Sequence, residues 1–155
     1  MHKLEITEQD FDIGSEIEHL KRSSVGAIAS FVGIVRDYQS GPELTSLTLE
    51  HYPGMTEHEI ERIMQDAGQR WSLAAVTVIH RVGRLAPQEN IVFVGTASAH
   101  RKADGLRFFE FVERHFSLAG SESLVLNEAL ELACALGCGV TVEVHLAVYV
   151  EITFG

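Results

Sequence analysis

The segment from Leu47 to Arg101 alternates β-prone and helical patterns, and this order restricts the fold more than any other part of the chain. Within it, Thr56–Arg70 is predicted to be helical because its apolar residues recur at helical spacing, at Ile60, Ile63, Met64 and Ala67. Thr56 and Glu59 have the spacing of a capping box at the start of this helix. Segments rich in β-branched residues predict strands at Leu44–His51, Ala75–Val82 and Asn90–Ala97.

The rest of the chain adds shorter elements of both kinds. The patterns predict extended segments at Lys3–Ile6 and Phe11–Ile13, a helix capped by Ser15 and running through Lys21, a buried strand at Gly26–Val35, and a helix at Ala103–Phe116. No internal repeat occurs, and strands and helices mix irregularly. We therefore predict one α+β domain over residues 1–155, with a mainly antiparallel sheet and flanking helices.

The composition restricts the class of protein. Apolar residues make up 46% of the chain and charged residues 22%, which is typical of a folded domain rather than a disordered chain. A formal charge of −10 argues against general nucleic-acid binding, which requires a basic surface. Neither a signal-peptide pattern nor an apolar run of membrane-spanning length is present in the sequence. We expect a cytoplasmic protein that binds neither nucleic acid nor membrane.

The two cysteines, Cys134 and Cys138, lie four residues apart. A metal site needs three or four ligands, and only His145 is near them in sequence. Buried, inert thiols are the better interpretation, and a disulfide is not expected in a reducing compartment. We expect no metal and no other cofactor.

The composition changes abruptly after Arg114, because residues 115–155 contain no lysine or arginine. In this segment every even position from Val140 to Phe154 is apolar, which predicts one long strand. Such a strand could extend the sheet, form a dimer contact or promote aggregation. The segment itself could arise from an altered reading frame or a fusion, or it could be a genuine variant with its own folded structure.

The strand predicted at Asn90–Ala97 is followed closely by the dipeptide His100-Arg101. Arginine offers a planar set of donors that suits phosphate, and histidine can carry a proton near neutral pH. Taken alone, a polar pair at a strand end is more often an ordinary solvated loop. The residues therefore allow an anion site here without establishing one.

Four segments between Gly26 and Arg101 resemble the catalytic (large) subunit of molybdopterin synthase. They are SFVGIVRDY (Ser30–Tyr38), LTLEHYPGMTE (Leu47–Glu57), VTVIHRVGRL (Val76–Leu85) and FVGTASAHR (Phe93–Arg101). The resemblance implies an α/β hammerhead-like fold and a sulfurtransferase of molybdenum-cofactor biosynthesis. It implies transfer of sulfur to cyclic pyranopterin monophosphate, giving molybdopterin. The implied partners are a small ubiquitin-like sulfur-carrier subunit with a thiocarboxylate terminus and a second copy of this chain, within a heterotetramer.

The resemblance also implies roles for individual residues. Arg36, His100 and Arg101 would bind the pterin phosphate, and His100 and Arg101 would also act in catalysis. Lys102 is the one lysine near these positions, and a catalytic role for it competes with that of a solvated surface lysine. His51 and His80 lie in matching segments, yet a structural role is the ordinary outcome for a histidine on a strand.

The family's two active-site lysines have no counterpart, because their positions fall near Phe116 and Ser123. The alternative to an active enzyme is therefore a non-catalytic binding homologue that keeps the anion pocket or the dimer surface. A small phosphate-ester hydrolase using His100 is a third possibility, which nothing in the sequence specifically supports.

Overall fold

A computed structural model describes residues 2–35, 44–100, 140–144 and 148–154. These residues form two helices, α1 (Ile13–Leu20) and α2 (Met55–Arg70). They also form eight strands: β1 (His2–Thr7), β2 (Ala27–Ile34), β3 (Leu44–His51), β4 (Leu73–Arg81), β5 (Gly83–Leu85), β6 (Asn90–Ser98), β7 (Val140–Val144) and β8 (Val148–Phe154). The strands predicted at Leu44–His51, Ala75–Val82 and Asn90–Ala97 are confirmed, with bounds that shift by no more than two residues.

The strands are arranged in two four-stranded sheets. The first has the order β1-β4-β6-β2, in which β1 pairs with β4 in parallel and the other pairs are antiparallel. The second has the order β5-β3-β8-β7, and all its pairs are antiparallel. With the two helices this is an α+β fold with mainly antiparallel pairing, as the sequence predicts.

Alternate residues of the central strands face two separate hydrophobic clusters. On β4, Val76 and Val78 join a large cluster that also receives residues from α2 and from the second sheet, such as Ile60 and Leu49. Ala75 joins the opposite cluster, where α1 packs on the first sheet. This period of two is the expected behaviour of a strand that is covered on both faces. The first sheet therefore forms the middle layer of the molecule.

Helix α1 begins earlier than the sequence analysis predicts. The carboxylate Oδ1 of Asp12 accepts a hydrogen bond from the backbone nitrogen of Ser15 at 2.6 Å, so Asp12 is the N-cap. The predicted cap at Ser15 is wrong, and so is the predicted extended conformation of Ile13, which is the first helical residue. Asp12 caps better than a residue inside the first turn because its carboxylate reaches a free amide and suits the positive helix terminus.

The capping residues of α2 also differ from the prediction. The helix begins at Met55, after Gly54 with a φ of 86°, and Oε2 of Glu57 accepts from the Gly54 nitrogen at 2.6 Å. The predicted pairing of Thr56 with Glu59 is wrong by this register. Oγ1 of Thr56 instead accepts from the nitrogen of Tyr52 at 3.3 Å. The positive φ explains the shift, since glycine adopts it without steric cost and lets the helix start directly after it.

The long strand predicted at Val140–Phe154 is two strands. β7 and β8 pair with each other antiparallel, and β8 also pairs with β3 of the same chain. The register joins Val140 to Ile152 and Val144 to Val148, so even-numbered residues oppose even-numbered residues. The alternation of apolar residues is therefore the same in β7 and in β8. For this reason the sequence pattern does not show where one strand ends and the next begins. Of the three outcomes left open, the structure shows extension of a sheet within the chain.

Candidate substrate-binding site

The side chain of His100 lies just beyond the end of β6 and is exposed. The hydroxyl of Ser98 donates to the carbonyl oxygen of His100 at 2.9 Å, which holds the first residues after the strand in a tight bend. The carbonyl oxygen of Ser98 accepts from the nitrogen of Gly26, also at 2.9 Å. The backbone at His100 is therefore held by the Ser98 side chain, and Ser98 is in turn bonded to Gly26, the residue that precedes β2.

Gly26 is required where it stands because the chain passes very close to it. A Cβ atom on this residue would lie 2.3 Å from the carbonyl oxygen of Ala99, which is far inside van der Waals contact. Sequence analysis did not identify Gly26 or Ser98 as supports of His100. The available signal was modest: a glycine at the start of a predicted strand and a serine two residues before the candidate histidine.

The opposite end of β2 is followed in sequence by Val35 and Arg36. Val35 is buried, its nitrogen donates to the carbonyl oxygen of Glu89 at 2.8 Å, and its own carbonyl accepts from the nitrogen of Gln88 at 2.8 Å. Arg36 is the next residue and lies outside the described residues, as do Arg101 and Lys102. Their proposed roles stay predictions.

Within one chain, His100 and the residue before Arg36 are at opposite ends of the same strand pair. The antiparallel register joins Ala27 to Ser98 at one end and Ile34 to Asn90 at the other. These two ends are seven residues apart along β2, or roughly 23 Å at the usual rise of a strand. The sequence analysis expected these cationic residues around one phosphate, but a single chain does not bring the two ends together.

His80 has the structural role expected from its position on a strand. It is buried, and its Nδ1 lies 2.8 Å from the carbonyl oxygen of Arg81. Burial lowers the pKa of His80 below its ordinary value of 6.5, the hydrogen bond to that carbonyl opposes this shift, and the nearby His51 adds to it. A neutral, buried imidazole suits a structural residue better than a proton carrier that must meet substrate.

Arg81 is a buried cation that the sequence analysis did not single out. Its guanidinium donates to the carbonyl oxygen of Asn90 at 3.1 Å and to that of Glu8 at 3.3 Å. Carboxylate oxygens of Asp10 and Glu89 lie 3.6 and 3.5 Å from Nη1. These contacts tie the segment after β1 to the turn before β6, so this arginine is structural and does not contribute to an anion site.

The described residues contain no group of three or more histidine, cysteine or acidic side chains that could hold a metal ion. Neither of the two described helices is long and apolar enough to cross a membrane. The pair Cys134 and Cys138 and the helix predicted at Ala103–Phe116 lie outside the described ranges. The expected cytoplasmic location remains a prediction.

Comparison with known proteins shows which family the chain resembles. The MoaE protein family matches residues 6–112. The molybdopterin synthase catalytic subunit of Pseudomonas aeruginosa is 48% identical over 102 residues, which is 64% of this chain and 68% of that protein. The protein of the same name from Mesorhizobium japonicum is 54% identical over 100 residues, which is 63% of this chain and 62% of that protein. The chain thus spans about two thirds of the length of these relatives.

Solved structures agree with the sequence comparison. The molybdopterin biosynthesis MoaE protein from Burkholderia ambifaria superposes with a TM-score of 0.65 at 43% identity, covering 72% of this chain and 74% of that one. The family match ends at residue 112, shortly before residues 115–155, the segment that contains no lysine or arginine. The match over residues 6–112 is more than half of the chain, and the chain therefore belongs to the MoaE protein family.

Proposed function

We propose that this chain is the catalytic subunit of a molybdopterin synthase and acts in molybdenum-cofactor biosynthesis. It transfers sulfur from the C-terminal thiocarboxylate of a small ubiquitin-like carrier protein to cyclic pyranopterin monophosphate, giving the dithiolene of molybdopterin. The observation that carries the proposal is the family match over residues 6–112 together with relatives named for this activity. The match includes the candidate residues Arg36, His100, Arg101 and Lys102.

The proposed roles follow from the chemistry of the side chains. Arg36 and Arg101 bind the phosphate of the pterin, because a guanidinium presents paired donors to its oxygens. His100 is exposed at the end of β6, where it can donate a hydrogen bond to the phosphate or move a proton as the cyclic ester opens. Fixed cations at this point stabilise the negative charge that develops during sulfur transfer. Lys102 is the remaining amine close to His100 in sequence.

We infer that a site containing both Arg36 and His100 is built by two chains, because these residues follow opposite ends of the β2–β6 pair in the sequence. Chain connectivity keeps the Cα atom of Arg36 about 3.8 Å from that of Val35. Val35 is fixed at the Glu89 end of the strand pair, and His100 lies beyond the other end. An arginine side chain cannot cross a gap of roughly 20 Å. The proposed site therefore supports the homodimer that the sequence analysis expected, with one carrier subunit for each copy.

A sulfur-transfer assay tests the activity directly. The chain is mixed with cyclic pyranopterin monophosphate and a thiocarboxylated carrier protein, and formation of the dithiolene is followed. We expect product, and we expect Arg36→Ala and His100→Ala each to lower the rate by about 10²–10³-fold, the usual effect of losing one group that stabilises developing charge. Glu61→Ala, which removes an exposed carboxylate from α2, is the control and should leave the rate unchanged.

The non-catalytic alternative has one observation in its favour, the absence of lysine after Lys102. Calorimetry separates the two functions. Binding of the pterin or the carrier without any product, at high concentrations of the chain, would contradict the proposed catalysis and support a binding homologue. Product formation at any rate above that of the carrier alone would exclude the alternative.

A further inference from the structure

His100 combines an exposed imidazole with a backbone that is restrained on both sides. The imidazole makes no hydrogen bond or ion pair with another described residue. The backbone, in contrast, lies between two peptide groups that contact other residues. Because a peptide group is planar, the two groups that flank a residue set its φ and ψ, and with them the direction of its Cα–Cβ bond. The contacts of these two groups therefore decide where the imidazole can reach.

The peptide group after His100 is held by a side chain. Its carbonyl oxygen accepts from the hydroxyl of Ser98 at 2.9 Å. Short hydroxyl side chains commonly form such local contacts with the backbone two residues away. The contact restricts rotation about the Cα–C bond of His100, since that rotation would carry the carbonyl oxygen away from the hydroxyl.

The peptide group before His100 is held by a close approach of the backbone. The carbonyl oxygen and carbon of Ala99 lie 2.3 and 3.2 Å from the point that a Cβ atom on Gly26 would occupy. The nitrogen of Gly26 also donates to the carbonyl oxygen of Ser98 at 2.9 Å. The segment before β2 thus packs directly on the bend and limits rotation of the Ala99 carbonyl.

Ser98 connects this bend to the sheet. It is the last residue of β6, and the register places it opposite Ala27 on β2 and opposite Leu73 on β4. A strand flanked on both sides is a rigid support, which a site needs if a side chain is to be held in one direction. The hydroxyl of Ser98 passes this rigidity to a residue two positions beyond the strand.

We propose that Ser98 is a positioning residue for His100 in the sulfur-transfer reaction. Its hydroxyl holds the backbone of His100 so that the imidazole points toward the phosphate before the substrate binds. A direction set in advance reduces the conformational entropy that is lost on binding. The role of His100 rests on the proposed function, whereas the restraint on its backbone rests on the contacts of Ser98 and can be tested separately.

Kinetics of three variants test the positioning role. Ser98→Ala should lower kcat/KM in the sulfur-transfer assay by about 3–10-fold, the usual effect of losing one hydrogen bond. Ser98→Thr keeps the hydroxyl and should restore most of the rate. Ser15→Ala removes an exposed serine from α1, and as the control it should leave the rate unchanged. The loss in Ser98→Ala should fall in the same parameter, kcat or KM, as the larger loss in His100→Ala.

A double variant separates positioning from a general effect on the fold. If Ser98 acts through His100, adding Ser98→Ala to His100→Ala should cause no further loss of rate. The side chain of Ser98 is half-buried, and urea unfolding should show that Ser98→Ala still folds. An equal loss of rate in both backgrounds, or a wild-type rate in Ser98→Ala, would overturn the positioning role.

NMR relaxation tests the restraint without any substrate. The order parameters of the backbone at His100 should fall in Ser98→Ala, return in Ser98→Thr and stay at the wild-type value in Ser15→Ala. Unchanged order parameters in Ser98→Ala would overturn the inference. If they fall but the wild-type chain makes no product, the restraint on His100 stands and the proposed function fails.

Discussion

Nδ1 of His80 lies 2.8 Å from the carbonyl oxygen of Arg81, the residue that follows it, and both side chains are buried. The imidazole supplies a donor to a carbonyl at the end of β4, while the arginine side chain donates to carbonyls of the adjoining segments. Two neighbouring residues thus supply donors to three backbone carbonyl oxygens where three segments meet, while the buried Nε of Arg81 has no hydrogen-bond partner among the described residues. Burial lowers the pKa of His80, so protonation of its imidazole is unfavourable in the folded chain and the stability of the fold is sensitive to acid.

The lowered pKa of His80 predicts a loss of stability below pH 6.5. Since the unfolded histidine titrates near 6.5 and the folded one lower, the unfolded chain binds more protons in this window. The contribution is complete above pH 6.5 and is lost as the pH falls toward the folded pKa. Urea unfolding at pH 7.5 and 5.5 should show a smaller decline for His80→Asn than for the wild type. An equal decline in both proteins would contradict this assignment.

Removing the guanidinium of Arg81 should destabilise the fold strongly. Arg81→Ala leaves the carbonyl oxygens of Asn90 and Glu8 without their donors, and we expect a loss of about 2–4 kcal/mol in the free energy of unfolding. Arg70→Ala is the matched control, because Arg70 is an exposed arginine paired with Asp66 one helical turn away. That change should cost less than about 1 kcal/mol. Similar losses for the two variants in urea unfolding would show that Arg81 has no special role.

Two glycine substitutions should have opposite signs. Gly26→Ala forces a Cβ toward the carbonyl oxygen of Ala99, and we expect a cost of about 1–3 kcal/mol. Gly68→Ala lies within α2, where the nearest atom, Cε1 of His2, is 3.6 Å away. It should stabilise the protein by about 0.5–1 kcal/mol, since alanine is the better helix former. Thermal unfolding of both variants checks the pair, and destabilisation by Gly68→Ala would contradict the described packing.

The cap of α2 depends on Glu57 rather than on Glu59. Glu57→Ala removes the acceptor for the Gly54 nitrogen and should lower the free energy of unfolding by about 1 kcal/mol. Glu59→Ala removes only an exposed pair with Arg62 and should cost less than about 0.5 kcal/mol. Chemical denaturation measures both, and a larger effect at Glu59 would restore the capping box predicted from the sequence.

The sequence predicts the central elements because each has a strong local pattern. The stripe from Ile60 to Ala67 defines α2, and the β-branched residues of β4 and β6 define the central strands. The helix starts are less predictable, since Asp12 and Ser15 are both good caps and only the packed structure decides between them. The alternation of apolar residues does not reveal the break between β7 and β8, because apolar residues occupy the even positions of both strands. The separation of His100 from Val35 is a property of strand register, which no local pattern encodes.

Strand β8 lies between β3 and β7, although it comes from the part of the chain beyond the family match. Without it, β3 would present seven newly unpaired residue positions to any chain nearby. Strand β8 is thus an inner strand of the second sheet and covers one edge of β3. A chain shortened to the region of the family match would expose this edge of β3 to pairing with other chains. We therefore expect truncation to reduce solubility.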